Sequence, residues 1–357
     1  MIGFISREVF RLAPYTPGEQ PQNQEYLKLN TNESPFPPSE KVIRAVMEEQ
    51  VQRLNLYSDP SCKNLHMALA ERYKVKPENV ISGNGSDEVL AFAFRAFCGE
   101  GKPVAYADIT YGFYKAQTAL FGLEAHIIPL REDFTMDMDK YLDFPGMIVI
   151  ANPNAPTGIS LSGEEIEKLL RADPQRVVLV DEAYVDFGGE SCVPLIHRYK
   201  NLLVVQTMSK SRQLAGARLG YALGSATLIE AMNRVKYSFN PYNVNRMTMA
   251  AGIAAVEDEA YFKKCCHTIM ENRRWTTAEL EKLGFSVLLS KANFVFAKSH
   301  KISGGELYQK LKERGILVRW FPEERIFDYL RITIGTKEQM ETLIFEISRI
   351  LQEEGGI

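Results

Sequence analysis

The sequence lacks the cysteine pattern of a zinc site or of a disulfide framework. Its five cysteines are odd in number, and no two of them have the C-x-x-C spacing. The five histidines are scattered along the chain, and none pairs with another at ligand spacing, so no metal site is predicted. Because disulfide-bonded proteins concentrate in oxidising compartments, this cysteine usage favours a reducing cytoplasm.

The sequence also lacks a basic excess and a long apolar run. Lysine and arginine number 42 against 45 aspartates and glutamates, and a net charge of -3 gives no footprint for nucleic acid. No uninterrupted apolar stretch approaches the roughly 20 residues of a membrane-spanning helix. Arg7, Glu8 and Arg11 argue against a signal peptide. These absences predict a soluble intracellular protein with no membrane or nucleic-acid partner.

Short apolar runs alternate with helical patterns through much of the 357-residue chain. This alternation predicts an α/β fold, with helices on both faces of a mostly parallel sheet and ligands at the carboxyl ends of its strands. Residues 162–165 form a capping-box signature. The predicted strands are 79–82, 103–106, 125–129, 147–151, 177–180, 202–206 and 219–222, and the predicted helices are 87–97, 113–121 and 164–172.

The end of the chain has a different pattern, which predicts a smaller α+β domain. Six prolines among the first 38 residues predict an extended N-terminal arm. We therefore expect an arm at 1–38, a large domain at 39–240 and a small domain at 241–357. The predicted elements of the small domain are helices at 261–283, 305–314 and 337–351, and strands at 286–289, 293–297, 317–319 and 330–334.

Two side chains with complementary chemistry follow buried strands. Lys210 comes shortly after the apolar run 202–205, and Asp181 directly follows the run 177–180. A pyridoxal phosphate enzyme needs such a pair, because an amine holds the aldehyde of the cofactor and a carboxylate keeps its pyridine nitrogen protonated. Most lysines are solvated, but burial would lower the pKa of Lys210, as this chemistry requires. Tyr184 could reach the ring oxygen, or its ring could simply pack in the core.

Two further segments could hold the cofactor's phosphate. Residues 82–88 follow a strand and open a helix, so their amides could face an anion. Their spacing fits neither a dinucleotide nor a triphosphate loop, and taken alone the segment is better explained as an ordinary turn. Ser209 and Arg218 offer a hydroxyl and a guanidinium for a doubly charged phosphate.

These motifs, in this order, resemble the fold-type I pyridoxal-phosphate-dependent aminotransferases, in particular the histidinol-phosphate aminotransferase family. The resemblance covers nearly the whole chain. It implies a large domain with a mostly parallel sheet flanked by helices and a smaller α+β C-terminal domain. The segments that carry it are 29–35, 57–60, 82–88, 111–114, 152–158, 181–184, 209–218 and 330–336.

The resemblance implies a role for each matching residue. Lys210 would attach the cofactor and move protons, Asp181 would pair with the pyridinium, and Tyr184 would bond the ring oxygen, so these three are the expected catalytic residues. The other implied cofactor contacts are Gly85, Ser86, Asp87, Tyr111 (stacked on the ring), Asn154, Ser209, Arg218 and, from a second subunit, Tyr57. The implied substrate contacts are Tyr15, Asn32, Arg319 and Arg331.

Ser34 and Ser58 replace an asparagine and a proline of the family pattern, and a third departure matters for the cofactor site. Many relatives have an asparagine immediately before the Pro-Thr-Gly of residues 156–158, where this sequence has Ala155. Either Asn154 or Asn152 replaces its bond to the ring oxygen, or Tyr184 acts there alone. The rigid loop at 152–158 is equally consistent with a purely structural turn.

The resemblance implies a cytoplasmic homodimeric aminotransferase with pyridoxal 5'-phosphate as cofactor. The expected reaction, a step of histidine biosynthesis, interconverts L-histidinol phosphate and 2-oxoglutarate with imidazole-acetol phosphate and L-glutamate. One arginine cluster could bind the glutamate carboxylate and the phosphate in turn. An aromatic amino-acid aminotransferase is the nearest alternative, and a threonine-phosphate decarboxylase or a non-catalytic sensor are more distant ones, because a fold does not fix a substrate.

Overall fold

The computed structural model describes residues 6, 9, 10, 12 and 14–355. Arg7, Glu8 and Arg11, with the corresponding parts of the predicted arm, lie outside the described residues. The strands are β1 Leu27–Lys28, β2 Val80–Asn84, β3 Val104–Ala107, β4 Ala125–Ile128, β5 Met147–Ala151, β6 Val178–Asp181, β7 Leu202–Thr207, β8 Leu219–Gly224, β9 Phe285–Val287, β10 Phe294–Ser299, β11 Ile316–Leu317, β12 Arg319–Trp320 and β13 Tyr329–Thr333.

The helices include every helix predicted from the sequence, with ends shifted by a few residues at most. The predicted capping box is present, because Ser162 accepts from the amide of Glu165 and the Glu165 carboxylate accepts from the amide of Ser162. The helices are α1 Glu40–Ala45, α2 Glu48–Val51, α3 Lys63–Tyr73, α4 Ser86–Phe97, α5 Phe113–Phe121, α6 Asp139–Leu142, α7 Gly163–Ala172, α8 Ala226–Phe239, α9 Arg246–Glu257, α10 Glu259–Lys282, α11 Gly304–Glu313 and α12 Lys337–Gly355.

The predicted α/β fold with a mostly parallel sheet is confirmed. The large sheet has the strand order β2-β8-β7-β6-β5-β3-β4. All its neighbouring pairs are parallel except those of β8, which is antiparallel to β2 and β7. The register places Asp181, the last residue of β6, beside Ala151 of β5 and Val205 of β7. Three carboxyl ends therefore meet at one edge.

Both faces of the large sheet are covered. In β6, Val178 and Val180 pack into one apolar cluster with α3, α7 and α9, while Leu179 packs into another with α4, α5 and α8. All three side chains are fully buried. A strand buried on both faces has a continuous apolar sequence, which explains the run before Asp181. The polar residues begin only where the strands leave the core.

The second sheet belongs to the C-terminal part of the chain. It is antiparallel, has the order β12-β13-β10-β9, and shares an apolar cluster with α10, α11 and α12. The prediction of one strand at 317–319 is wrong, because the chain changes partner at Val318: β11 pairs with β1, and β12 pairs with β13. The end of the predicted arm is thus hydrogen-bonded to the C-terminal part. The domain boundaries themselves stay a prediction.

The described residues contain neither a membrane-spanning helix nor a cluster of metal-ligating side chains. None of the helices between 14 and 355 is long and apolar enough to cross a membrane. No group of three or more histidine, cysteine, aspartate or glutamate side chains in the described part could hold a metal ion. All five cysteines have free, buried thiols.

Candidate active site

A cavity of about 710 Å³ opens where the strands of the large sheet end. Its size is that of a small-molecule site. The walls come from the N-terminal segment, the ends of β6 and β7, the start of α4 and the β12–β13 region. The predicted site residues that line it are Tyr15, Asn32, Ser86, Asp87, Tyr111, Asp181, Tyr184, Ser209, Lys210, Arg218, Arg319 and Arg331.

Lys210 reaches this cavity from the turn after β7. Its Nζ donates to the carbonyl of Thr31, 3.1 Å away, and no carboxylate among the described residues pairs with it. Burial lowers the pKa of Lys210 to about 8, and the positive charges of Arg331 and Arg218 act in the same direction. An amine with this pKa is partly neutral at physiological pH, so its nitrogen can act as a nucleophile and as a base.

Asp181 is a buried carboxylate with no cationic partner among the described residues. The Tyr114 hydroxyl donates to its Oδ2 at 2.7 Å, and the Ala183 amide donates to its Oδ1 at 3.2 Å. Burial raises the pKa of Asp181 to about 6 in spite of these two bonds. A carboxylate has about four acceptor positions. Asp181 therefore retains acceptor capacity for a cationic N–H group in the cavity.

Tyr184 is held by Asn32 of the N-terminal segment. The Asn32 amide donates to the Tyr184 oxygen at 2.9 Å, so the phenolic hydrogen is left for an acceptor in the cavity. Asn32 has a φ of 55°, and Thr333 fixes it by accepting from its backbone amide and donating to its side-chain oxygen. The structure thus brings Asn32, predicted as a substrate contact, into direct contact with Tyr184.

One end of the cavity offers donors to an anion. It contains the N-terminus of α4 at Ser86, the Ser209 hydroxyl and the Arg218 guanidinium, and the last of these pairs with Asp87 at 3.0 Å. Gly85 does not line the cavity. It has a φ of 85°, a left-handed backbone conformation that favours glycine, and the Arg218 guanidinium lies close above its Cα. A helix N-terminus with a hydroxyl and a guanidinium suits a phosphate.

Tyr111 forms a wall beside this end. Its hydroxyl donates to the second oxygen of Asp87 at 2.9 Å, and the ring of Tyr15 meets its ring edge-on at 5.6 Å. The N-terminal segment therefore covers the aromatic wall of the cavity. Tyr15 itself remains 42% exposed at the mouth.

The other end of the cavity has two arginines on adjacent strands, Arg331 of β13 and Arg319 of β12. Arg331 donates to the carbonyl of Asn30, and its Nε is buried without a hydrogen-bond partner. Arg319 donates to the carbonyls of Thr16 and Pro17. Neither guanidinium pairs with a carboxylate of the described residues. Because an unpaired charge is costly where it is buried, the partly buried Arg331 guanidinium favours an anionic ligand at this end of the cavity.

Tyr57 lies outside the cavity of its own chain. Its ring is 80% exposed and stacks on Tyr242 with 4.5 Å between centroids. Its backbone carbonyl accepts from Arg246, and the neighbouring Ser58 hydroxyl donates to the carbonyl of Val244. The segment is firmly held, yet it presents a large aromatic side chain to the surface.

The structure gives Asn154 a role within its loop. Its amide donates to the Ile109 carbonyl and the Thr157 hydroxyl at 3.0 Å each, and its oxygen accepts from Thr110. Asn152 is similarly occupied, with two bonds to the backbone of Leu161. The expectation that Asn154 or Asn152 enters the cavity is therefore not met. Ala155 lines the cavity instead.

Sequence reasoning missed Tyr114 and the buried Glu182. Tyr114 belongs to the motif at 111–114, but no local pattern in the sequence links its side chain to Asp181. Burial raises the pKa of Glu182 to about 7, and its carboxylate accepts from Ser191, Gln206 and the Cys192 amide. Glu182 does not line the cavity, and its bonds tie β6 to β7.

Three comparisons relate the chain to known proteins. The family model described as Aminotransferase class I and II matches residues 24–347. A histidinol-phosphate aminotransferase of Marinomonas sp. is 53% identical over 347 residues, which cover 96% of this chain and 98% of the relative.

Solved structures extend the similarity to the fold. The histidinol-phosphate aminotransferase of Sinorhizobium meliloti, in complex with pyridoxal-5'-phosphate, has a TM-score of 0.89, 24% identity and 99% coverage of both chains. The L-threonine-O-3-phosphate decarboxylase of Porphyromonas gingivalis has a TM-score of 0.79 at 23% identity and covers 91% of this chain and 99% of that one. Two different reactions therefore share this fold.

Proposed function

This chain belongs to the histidinol-phosphate aminotransferase family of class I and II aminotransferases, and from this membership we propose its reaction. It transfers the amino group of L-histidinol phosphate to 2-oxoglutarate, giving imidazole-acetol phosphate and L-glutamate, a step of histidine biosynthesis. The observation that carries the proposal is a pair of arginines in the same cavity as Lys210, Arg319 and Arg331, which pair with no carboxylate of the described residues. Amine chemistry on an anionic substrate needs this combination.

Pyridoxal 5'-phosphate, the cofactor, fits the donor set of the cavity. Asp181 has acceptor capacity for a pyridinium, and Ser86, Ser209 and Arg218 offer donors for a phosphate. When bound, the cofactor supplies an aldehyde that reacts with amines and a ring that accepts electrons. Lys210 would hold the aldehyde, and Tyr111 would cover the ring face. Tyr184 would donate to the ring oxygen without an asparagine at position 155.

Lys210 transfers protons, and the two arginines bind the anionic group of the substrate. The Nζ of Lys210 takes the proton from the α-carbon of the amino donor and returns one to the acceptor, which a pKa of about 8 permits at neutral pH. Arg331 and Arg319 bind the phosphate of histidinol phosphate and, in the second half-reaction, a carboxylate of glutamate. Tyr15 would cover the substrate at the mouth, and Asn32 would contact it from the wall beside Tyr184. One anion site thus serves both substrates.

The enzyme should prefer histidinol phosphate to phenylalanine by at least about 10²-fold in kcat/KM. Each hydrogen bond between a charged group and its partner contributes about 1.5–3 kcal/mol, and the phosphate dianion can accept more of them from the two arginines than a carboxylate can. Steady-state kinetics with both amino donors and saturating 2-oxoglutarate measures the ratio. A ratio below one would favour the aromatic amino-acid aminotransferase instead.

We also propose that the protein is a cytoplasmic homodimer in which Tyr57 completes the partner's site. Several large apolar side chains near Tyr57 or Tyr242 in the sequence are exposed, and exposed apolar surface is typical of interfaces. The buried free thiols suit a reducing compartment. The exposed side chains close in sequence to Tyr57 or to its stacking partner are Val51, Leu54, Leu56, Phe239 and Tyr242.

A mixed dimer of two defective variants tests whether Tyr57 of one subunit contributes to the cofactor site of the other. In a mixed dimer of Tyr57→Ala and Lys210→Ala chains, one site has Lys210 from the first chain and Tyr57 from the second. If Tyr57 crosses, that site is intact and binds cofactor with wild-type affinity, whereas each parent homodimer has only defective sites. Spectroscopic titration of the purified mixed dimer with cofactor measures this. If the mixed dimer has no tight cofactor site, Tyr57 does not contribute to the site of the partner subunit.

A further inference from the structure

Tyr114 lies behind the cavity wall and does not line the cavity. It is in the first turn of α5, and its fully buried ring packs against Tyr111, Tyr106 and Phe94 with centroid separations of 5.7, 5.8 and 6.2 Å. Its hydroxyl makes one hydrogen bond within the described residues, to Asp181 Oδ2 at 2.7 Å. A buried phenol in an aromatic cluster needs such a partner.

The surroundings of Asp181 supply no positive charge from the described residues. The ionisable groups near it are Tyr114 of α5, Asp87 of α4 and Tyr184 of its own segment. Burial raises the pKa of Asp181, the charge of Asp87 acts in the same direction, and the bond from Tyr114 opposes both. A hydrogen bond donated to a carboxylate stabilises its ionised form. Tyr114 is therefore the side chain that favours ionisation of Asp181.

The bond also fixes the orientation of the carboxylate. Tyr114 donates to Oδ2, and the Ala183 amide donates to Oδ1, so rotation of the carboxylate would break both bonds. Tyr111, which lies just before α5, donates to the second acidic group, Asp87. The segment from Tyr111 to Tyr114 thus connects two carboxylates, one at the proposed phosphate end and one behind the proposed ring site.

We infer that Tyr114 is a positioning residue, which keeps Asp181 ionised and aimed at the pyridine nitrogen of the cofactor. This inference rests on the proposed role of Asp181. Tyr114 does not touch the substrate and transfers no proton to it. Its contribution is a tighter hold on the protonated cofactor ring, and hence a ring that accepts electrons more readily.

Substitution Tyr114→Phe removes one oxygen and leaves the aromatic packing in place. We expect the cofactor dissociation constant to rise by about tenfold or more, because a hydrogen bond to a charged group is lost. In holoenzyme reconstituted with cofactor labelled with ¹⁵N in the ring, the ¹⁵N chemical shift should report loss of the ring proton at a lower pH than in the wild type. Neither readout depends on catalytic turnover.

The matched control is Tyr106→Phe. Tyr106 is buried in the same aromatic cluster, but its hydroxyl bonds to Thr118 and not to Asp181. If Tyr114→Phe and Tyr106→Phe give the same cofactor affinity and ¹⁵N shift, the inference is overturned. In an Asp181→Asn background, the effect of Tyr114→Phe should disappear. If Asp181→Asn does not change the pH at which the ring nitrogen loses its proton, the proposed role of Asp181 is wrong. This result is distinct from a failure of the inference about Tyr114 alone.

Discussion

Replacing Lys210 with alanine should lower kcat by about 10³-fold or more, since proton transfer by a positioned side chain typically contributes 10²–10⁴-fold. The loss should be larger than for any other single substitution in the cavity, because Lys210 has two proposed tasks, attachment of the cofactor and movement of the substrate proton. Kinetics of both half-reactions, with histidinol phosphate and with glutamate, would measure it. Small primary amines added to the variant should restore part of the rate.

Lys115 provides the control for this experiment. It also lines the cavity, but from the exposed face of α5, and its ammonium has no partner among the described residues. Lys115→Ala should therefore retain most of the activity. Borohydride reduction of the holoenzyme followed by peptide mapping should label Lys210 and leave Lys115 unlabelled. Label on any other lysine, or near wild-type kcat in Lys210→Ala, would overturn the assignment.

The position of Lys210 and Asp181 could be predicted from sequence because it follows from strand ends. Apolar runs mark strands that are buried on both faces, and the first polar residues after them lie at the carboxyl edge of a parallel sheet. The observed register, with Asp181 beside Val205, is what brings this carboxylate to the edge that Lys210 enters. The placement of both residues at this edge depends on the strand pattern and not on the details of side-chain packing.

The hydrogen bonds that tune these groups could not be predicted in the same way. Asn32 and Tyr184 are 152 residues apart, and Tyr114 and Asp181 are 67 apart. Each pair depends on how a segment packs against the sheet, which no local pattern specifies. Asn154 shows the opposite error: its position in a matching motif suggested a ligand contact, whereas neighbouring hydroxyls and a carbonyl occupy its amide.

Replacing Arg331 with glutamine should lower kcat/KM for histidinol phosphate and for glutamate by about 10²-fold or more, because at least one charge-assisted hydrogen bond and one ionic attraction to each substrate are lost. The Nε of Arg331 is buried and has no hydrogen-bond partner in the described part of the chain, which leaves it available to a ligand. Arg319→Gln should have a smaller effect, since Arg319 is only half-buried and already donates to the carbonyls of Thr16 and Pro17. Initial-rate measurements over a range of each substrate would separate KM from kcat.

L-Histidinol, which lacks the phosphate, is the control substrate for this variant. In the wild type it should react far more slowly than histidinol phosphate, and Arg331→Gln should reduce that difference by slowing only the phosphorylated substrate. This comparison is a thermodynamic cycle between one side chain and one substrate group, so general damage to the enzyme cancels. If Arg331→Gln slowed both substrates equally, Arg331 would be supporting the cavity and not binding the phosphate. The two arginines would then no longer support histidinol phosphate as the substrate.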